Sequence, residues 1–343
     1  MHSRPIVRVL SSLVFGCLWW ALTARPVSAA LLVASDSTTA GDSDVLAYDA
    51  NGNPLGSYLA GTAGVLGAPM GIAFGPDGNL YIADAGSSAG AAVWRFNPGS
   101  ATLTPLVAPG AGGLVSPTAL AFDSSGNLFV AGSDGVFEYD ANGNLLHGGA
   151  FIASGVGGLV SPDGLAFDSA GDLYVADAGS GPGTVSGQVL EYTSGGTLLQ
   201  TINAPGANGL DSATALTFEN GNLFVANATA GIGSSSVLEY GPSGNFIGTF
   251  ATVLTAPTAL AFDALGNLFV ADANAATNVV YAYDDAGNPL GTFIGVGSDG
   301  LSAPAGLAFS PTSQPAPEPS TLALFSMAAA ALALSRRGWR NRR

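Results

Sequence analysis

PMGIAFGPDGNLYIAD, residues 69–84, holds two short apolar segments, Met70–Phe74 and Leu80–Asp84, separated by Pro76, Asp77, Gly78 and Asn79. Apolar runs of this length broken by Pro, Asp, Gly and Asn predict two strands joined by a tight turn, since Gly and Asn accept the positive φ that such turns require. The phrase returns as Ala119–Phe122 with Leu128–Ala131 and as Gly164–Phe167 with Leu173–Asp177. It returns again as Ala215–Phe218 with Leu223–Asn227 and as Ala259–Phe262 with Leu268–Asp272. The aligned residues Phe74, Phe122, Phe167, Phe218, Phe262 and Phe309 recur at intervals of 44 to 51. Repeats of this period, each with several short strands, mark the blades of a β-propeller.

Working outward, each unit continues into a third strand ending in an aromatic residue, at Phe96, Tyr139, Tyr192, Tyr240 and Tyr283. A turn such as Asp140–Asn144 or Asp284–Asn288 follows, then a weaker fourth strand such as Phe246–Phe250. The two ends of the array complement each other. The N-terminal portion starts at second-strand level with Leu31–Ala34 and lacks a first strand, and the C-terminal portion supplies only that strand, Ala305–Phe309. The expectation is an all-β, six-bladed β-propeller over residues 31–311, closed by one composite blade so that no edge is left to pair with another chain. The phrases P-x-G/A-I/L-A-F and G-N-L-Y/F-V-A-D resemble NHL repeats, without the basic residue that usually precedes the third strand.

The termini carry a different kind of information. Pro317, Glu318, Pro319, Ser320 and Thr321 precede the apolar run Leu322–Leu334 and a basic cluster that includes Arg336 and Arg337. This order resembles the PEP-CTERM sorting signal, which implies recognition by an exosortase, a membrane protease of Gram-negative bacteria. Thirteen apolar residues reach only about 20 Å as a helix against roughly 30 Å of hydrocarbon, so a single transmembrane helix here is expected to be a temporary anchor. The arginines would hold its end on the cytoplasmic side. At the other end, Arg4 and Arg8 precede the apolar stretch Val9–Leu22, and Val27–Ala30 offers small residues for cleavage. This predicts a signal-peptide helix in residues 1–30, with the mature chain starting near Ala30 or Leu31. Residues 312–343 are then linker and sorting signal. The only cysteine, Cys17, would leave with the signal peptide, so no disulfide or thiolate chemistry is expected.

Composition limits the partners. Residues 31–317 contain 23 of the 24 acidic residues and a single basic one, Arg95. About 22 net negative charges exclude nucleic acid, whose phosphates would find no cations, and repel acidic polysaccharide unless a divalent ion bridges the two. The chain has no lysine, which removes Schiff-base chemistry.

In a four-stranded blade, the start of the inner strand and the end of the second strand open on one face. This places Asp84, Asp163, Asp177 and Asp272, with Asn227 and the threonines Thr118, Thr214 and Thr258, around one mouth of the central channel, with the carboxylates facing solvent. Clustered oxygen ligands suit Ca²⁺. Each strand-end carboxylate can equally cap backbone N–H groups of its own loop. Asp77, Asp123, Asp168, Glu219 and Asp263, on the opposite face, read as turn residues.

Six-bladed relatives include lyases and gluconolactonase-like hydrolases, so the fold admits chemistry without deciding it. The lyases rely on histidines, and here His2 lies in the signal peptide and His147 toward the rim. The lactonase type implies a central Glu, Asn and Asp around a divalent ion, and the mouth offers no Glu. The expectation is therefore that the chain is not an enzyme. It is expected to be exported by the Sec machinery, held transiently at the inner membrane, sorted by exosortase, and used at the cell surface or in the matrix as an adhesion module contacting polysaccharide or surface proteins. The alternative is a divalent-metal-dependent lactonase or lyase.

Overall fold

The computed structural model describes residues 29–37, 43–59, 64–86, 90–180, 187–203, 207–229, 234–274 and 276–311. They form six four-stranded antiparallel sheets. Five sheets are continuous in sequence, with inner strands Pro69–Phe74, Ala119–Phe122, Pro162–Phe167, Ser212–Glu219 and Pro257–Phe262. The sixth is composite, ordered Pro304–Phe309, Leu31–Ser35, Asp44–Tyr48, Pro54–Ser57. Leu31 pairs with Phe309 and Val33 with Leu307, so the last strand of the propeller closes on its first.

Hydrophobic patterning explains the architecture. Every residue of second strands such as Leu80–Asp84, Leu173–Asp177 and Leu268–Asp272 is buried. A strand apolar on both faces must be covered on both faces, and in a propeller the neighbouring blades do this. Outer strands such as Leu198–Asn203 and Pro289–Ile294 are mostly exposed, which explains their weak pattern. The core is accordingly a ring of six clusters, each shared by two neighbouring blades. The closing interface is as apolar as the others: Leu31, Val33, Tyr48 and Leu307 pack with Phe269, Val280 and Ile294.

The repeated phenylalanine has a specific partner. The second-strand aromatic of one blade meets, edge to face, the phenylalanine ending the inner strand of the next. The pairs are Tyr81–Phe122, Phe129–Phe167, Tyr174–Phe218 and Phe224–Phe262, all with ring centroids 4.9 Å apart, and Phe269–Phe309 at 5.2 Å. Such pairs add about 0.5–1.5 kcal/mol beyond area burial. Toward the axis the inner strands approach so closely that a Cβ on Gly71 would meet Thr118 O at 2.7 Å, and one on Gly306 would collide with Met70 O.

No helix among the described residues is long and apolar enough to cross a membrane. The expected signal-peptide helix and C-terminal transmembrane helix fall in residues 1–28 and 312–343, outside the described residues.

Candidate functional site

The inner strands start, and the second strands end, on one face, the mouth face. The turns from first to second and from third to fourth strand lie on the other, the turn face. Met70, Thr118, Asp163, Thr214, Thr258 and Ala305 hold equivalent places at the inner-strand starts, and Thr118, Asp163, Thr258 and Ala305 line a cavity of about 170 Å³ at the axis. Three threonines tie adjacent blades. Thr118 Oγ1 donates to Pro162 O at 2.8 Å, Thr214 Oγ1 to Pro257 O at 2.7 Å, and Thr258 Oγ1 to Pro304 O at 2.6 Å.

Asp163 occupies the same place in the ring but carries a carboxyl group. Burial, and then the negative charge of Asp177, push its pKa up to about 7, against a smaller opposing hydrogen bond from Ser161. It is therefore a proton-exchanging group near neutral pH at the entrance of the channel.

The strand-end residues behave differently from Asp163. Asp84 accepts from the backbone N–H of Gly67 at 3.1 Å, Ala68 at 2.7 Å and Gly86 at 3.1 Å, and from Trp94 Nε1 at 3.0 Å. Asp177 accepts from Val160 and Ser161 N–H at 3.1 and 2.7 Å, and from Gln188 Nε2 at 3.0 Å. Asp272 accepts from Thr255 and Ala256 N–H at 2.8 and 2.9 Å. Asn227 accepts from Asp211 N–H at 2.9 Å, and Ser35 exchanges hydrogen bonds with Ser302 in the composite blade. Each of these side chains clasps the loop that leads into the inner strand of its own blade.

The expectation that these carboxylates face solvent is corrected here: Asp84, Asp177 and Asp272 are only 3%, 1% and 1% exposed. Their lone pairs point at backbone donors, because a loop entering an inner strand presents N–H groups that have no ladder partner. Of the expected Ca²⁺ set, the structure brings Asp163 under the charge of Asp177 and holds Asp84 and Asp272 in their own blades.

A carboxylate group not singled out in the sequence lies on the turn face. Asp168, Asp172 and Glu191 have ligand oxygens within 4.8 Å of one another. In the blade of Ala119–Phe122 an asparagine takes the place of Asp172 and bridges its two carboxylate neighbours: Asn127 Nδ2 donates to Asp123 Oδ2 and Glu138 Oε1 at 3.2 and 3.0 Å. Internal alignment shows this signal: Asn79, Asn127, Asn222 and Asn267 stand where the blade of Pro162–Phe167 has Asp172. His147, toward the rim, pairs with Glu138 at 2.6 Å. Larger cavities, of about 340 and 300 Å³, open on the turn face between blades, lined in part by Phe167 with Tyr174 and Phe218, and by Phe129 with Phe151.

The family described as the PEP-CTERM protein-sorting motif matches residues 315–337. No curated protein matches the chain in sequence. Among solved structures, the crystal structure of a nidogen/laminin complex is similar with TM-score 0.63 at 19% identity, over 83% of this chain and 100% of that one. A periplasmic gluconolactonase of Pseudomonas aeruginosa is similar with TM-score 0.55 at 20% identity, over 83% and 99%. A gluconolactonase of Xanthomonas campestris gives TM-score 0.52 at 18% identity, over 78% and 88%.

These similarities define a six-bladed, NHL-like β-propeller carrying a C-terminal PEP-CTERM sorting motif. The motif implies export, transient membrane anchoring and processing by exosortase, a membrane protease. The expectation that the chain is not an enzyme is corrected: its fold is shared with gluconolactonases. The lack of a histidine cluster is therefore no ground for excluding catalysis. At these identities the likeness establishes the architecture of an enzyme family and no activity.

Proposed function

We propose that this chain is an exported, exosortase-sorted propeller that acts at the cell surface or in the extracellular matrix as a binding and adhesion module in contact with exopolysaccharide. The sorting motif at residues 315–337 is the single observation that carries this reading. A rigid ring closed through Leu31 and Phe309 supports it, because closure pairs the two chain ends and leaves only the short outer strands of the blades as edges. On this reading residues 1–30 are a signal peptide read by the Sec machinery, 31–311 the displayed domain, and 312–343 the linker, membrane helix and arginines that are discarded. The test is replacement of Glu318 by alanine, with intact mass and fractionation read together. The wild-type chain should leave the membrane shortened at its C-terminus, and the Glu318→Ala chain should stay behind at full length. Identical mass and distribution would contradict the reading.

A second reading is favoured by one observation, the carboxyl group of Asp163 with its pKa near 7 at the mouth of a fold shared with gluconolactonases. A group that gains and loses a proton near neutrality is suited to general acid–base work on a lactone. Lactone hydrolysis lost in Asp163→Asn with no fall in melting temperature would support it. Absence of turnover across a panel of sugar lactones, with and without Ca²⁺, would remove it.

A further inference from the structure

The two large cavities of the turn face are copies of one another. That of about 300 Å³ lies between the blades of Ala119–Phe122 and Pro162–Phe167, and that of about 340 Å³ between the latter blade and that of Ser212–Glu219. Asp123, Phe129 and Phe167 line the first, and Asp168, Tyr174 and Phe218 hold the equivalent places in the second. Both volumes fall at the low end of the range of small-molecule sites, about 300–1,000 Å³.

One sequence difference opens them. Ser124 and Ser169 are exposed at the second position of their turns, where the blade of Pro69–Phe74 has Pro76. The Pro76 ring leans over the next blade, its Cγ 3.4 Å from where a Cβ on Gly126 would lie. Gly171 and Gly221 stand in the place of Gly126 in the two cavities. A Cβ on Gly171 would meet nothing within 4 Å, and one on Gly221 only Pro242 at 3.9 Å.

The walls are amphipathic. Phe167 and Phe218 are half-buried and meet Phe129 and Tyr174 edge to face at 4.9 Å, so part of each ring is open to its cavity. Carboxylates and hydroxyls stand beside the rings, Asp123 with Ser124 in one and Asp168 with Ser169 in the other. Asp168 uses Oδ1 on its own turn, accepting from Ala170 and Asp172 N–H at 2.9 Å, and among the described residues no donor meets its Oδ2. A pyranose has the matching form, with C–H groups that pack on an aromatic face and hydroxyls that donate to a carboxylate. Charge sets the class of sugar. Asp168, Asp172 and Glu191 have oxygens within 4.8 Å of one another, and Arg95 belongs to another blade, so an acidic glycan is repelled.

We infer that the turn face binds a neutral polysaccharide, with sugars of one chain seated in the two cavities on either side of Phe167. Phe167 lines both, and two copies of one cavity a blade apart suit a ligand that itself repeats. A chain engaging both gains over a single sugar through effective concentration. The choice of ligand rests on the reading of the chain as a surface binding module.

The experiment is titration calorimetry of the full chain, held in a detergent without a sugar headgroup, with cellohexaose, laminarihexaose, chitohexaose and an oligogalacturonate. At least one neutral oligosaccharide should bind, and the acidic one should not. Ser124→Pro with Ser169→Pro copies Pro76 into both cavities. Proline is favoured at the second position of such turns, which Gly126 and Gly171 N–H close on Asp123 and Asp168 O, so the melting temperature should hold. Affinity should fall at least about tenfold, while Ala264→Pro, the same change in the blade of Pro257–Phe262, should bind as wild type does. Should the double variant melt lower, ring signals of phenylalanine-labelled wild type decide: Phe167 and Phe218 should shift with ligand, and unshifted signals at saturation overturn the site. Wild-type affinity in a well-folded double variant overturns the site and leaves the binding-module reading standing. Binding of the oligogalacturonate, or of none of the neutral sugars, also overturns it, and the Glu318→Ala mass and fractionation then decide the sorting reading separately.

Discussion

A single position in the repeat shows most clearly how side-chain chemistry is used here. At the end of the second strand stand Ser35, Asp84, Gly132, Asp177, Asn227 and Asp272, and five of the six hold the incoming loop through a side-chain oxygen. The sixth, Gly132, admits that loop by lacking a Cβ, which would lie 2.7 Å from Val115 O. Removing the Asp84 side chain leaves the Gly67 and Ala68 N–H groups and the Trp94 indole without their acceptor. Buried donors stripped of partners cost about 1–3 kcal/mol each. Asp84→Ala should therefore lower the unfolding free energy by at least about 2 kcal/mol in Ca²⁺-free buffer, read by urea denaturation. A wild-type melting temperature that rises with Ca²⁺, and a mutant equal to wild type in chelator, would instead assign Asp84 to a metal. The clasp was one of two open readings in the sequence. The sequence could not choose between them because the loop partners lie 16 or 17 residues upstream.

Asp163 gives a prediction with a definite sign. Its folded pKa of about 7 lies above the ordinary value of 3.8, so the folded state binds the proton more tightly than the unfolded chain does. Stability from this group is fully present below about pH 4, is lost as pH rises to about 7, and is level above that. Asp163→Asn should flatten this slope and raise the melting temperature at pH 8, with little change at pH 4. Equal pH profiles for the two proteins would show that the carboxyl group is not held as described. Asp172 works in the same direction, its pKa raised by burial and then by Asp168 and Glu191. Asp172→Asn supplies the amide with which Asn127 bridges the equivalent carboxylates, Asp123 and Glu138, and thermal melts at pH 7 should show a gain.

At the scale of elements, the sequence was informative because each strand has a distinct burial. The fully buried second strands, Leu80–Asp84 through Leu268–Asp272, stand out as continuous apolar runs. The inner strands carry their signature in size: a residue too large cannot sit where Gly71 faces Thr118 O and Ala119 Cα at 2.7 and 2.9 Å from an added Cβ. The contact is with backbone, which cannot rotate away, so Gly71→Val should force the inner strands of two blades apart. A loss of about 1–3 kcal/mol is expected by analogy with overpacked cores. Melting temperature checks it, and a variant within 1 °C of wild type would mean that the inner ring is looser than these distances. The outer strands were the least legible. The strand Ile152–Ala153 has only two residues, and exposed side chains leave no periodicity to read.

At the scale of the whole molecule, closure and sorting meet. The shared blade was readable because each end lacked what the other supplied, and Leu31 pairing with Phe309 fulfils it. The fold's likeness to that of gluconolactonases was also legible, while the inference from missing histidines to missing catalysis went beyond what residue counts can carry. The sorting tail and the ring are separable on this account, since every strand among the described residues lies between Leu31 and Phe309 and Ser310 already pins the last one to Ala30. The most direct measurement is fractionation combined with a thermal melt, comparing the full chain with one ending at Pro311, in cells without the sorting protease. The account predicts that the full chain stays with membranes, and that the shortened chain is soluble and unfolds at the same temperature as the propeller released from the full chain by protease. A shortened chain that remains with membranes, or that is soluble but melts well below the released propeller, would contradict it.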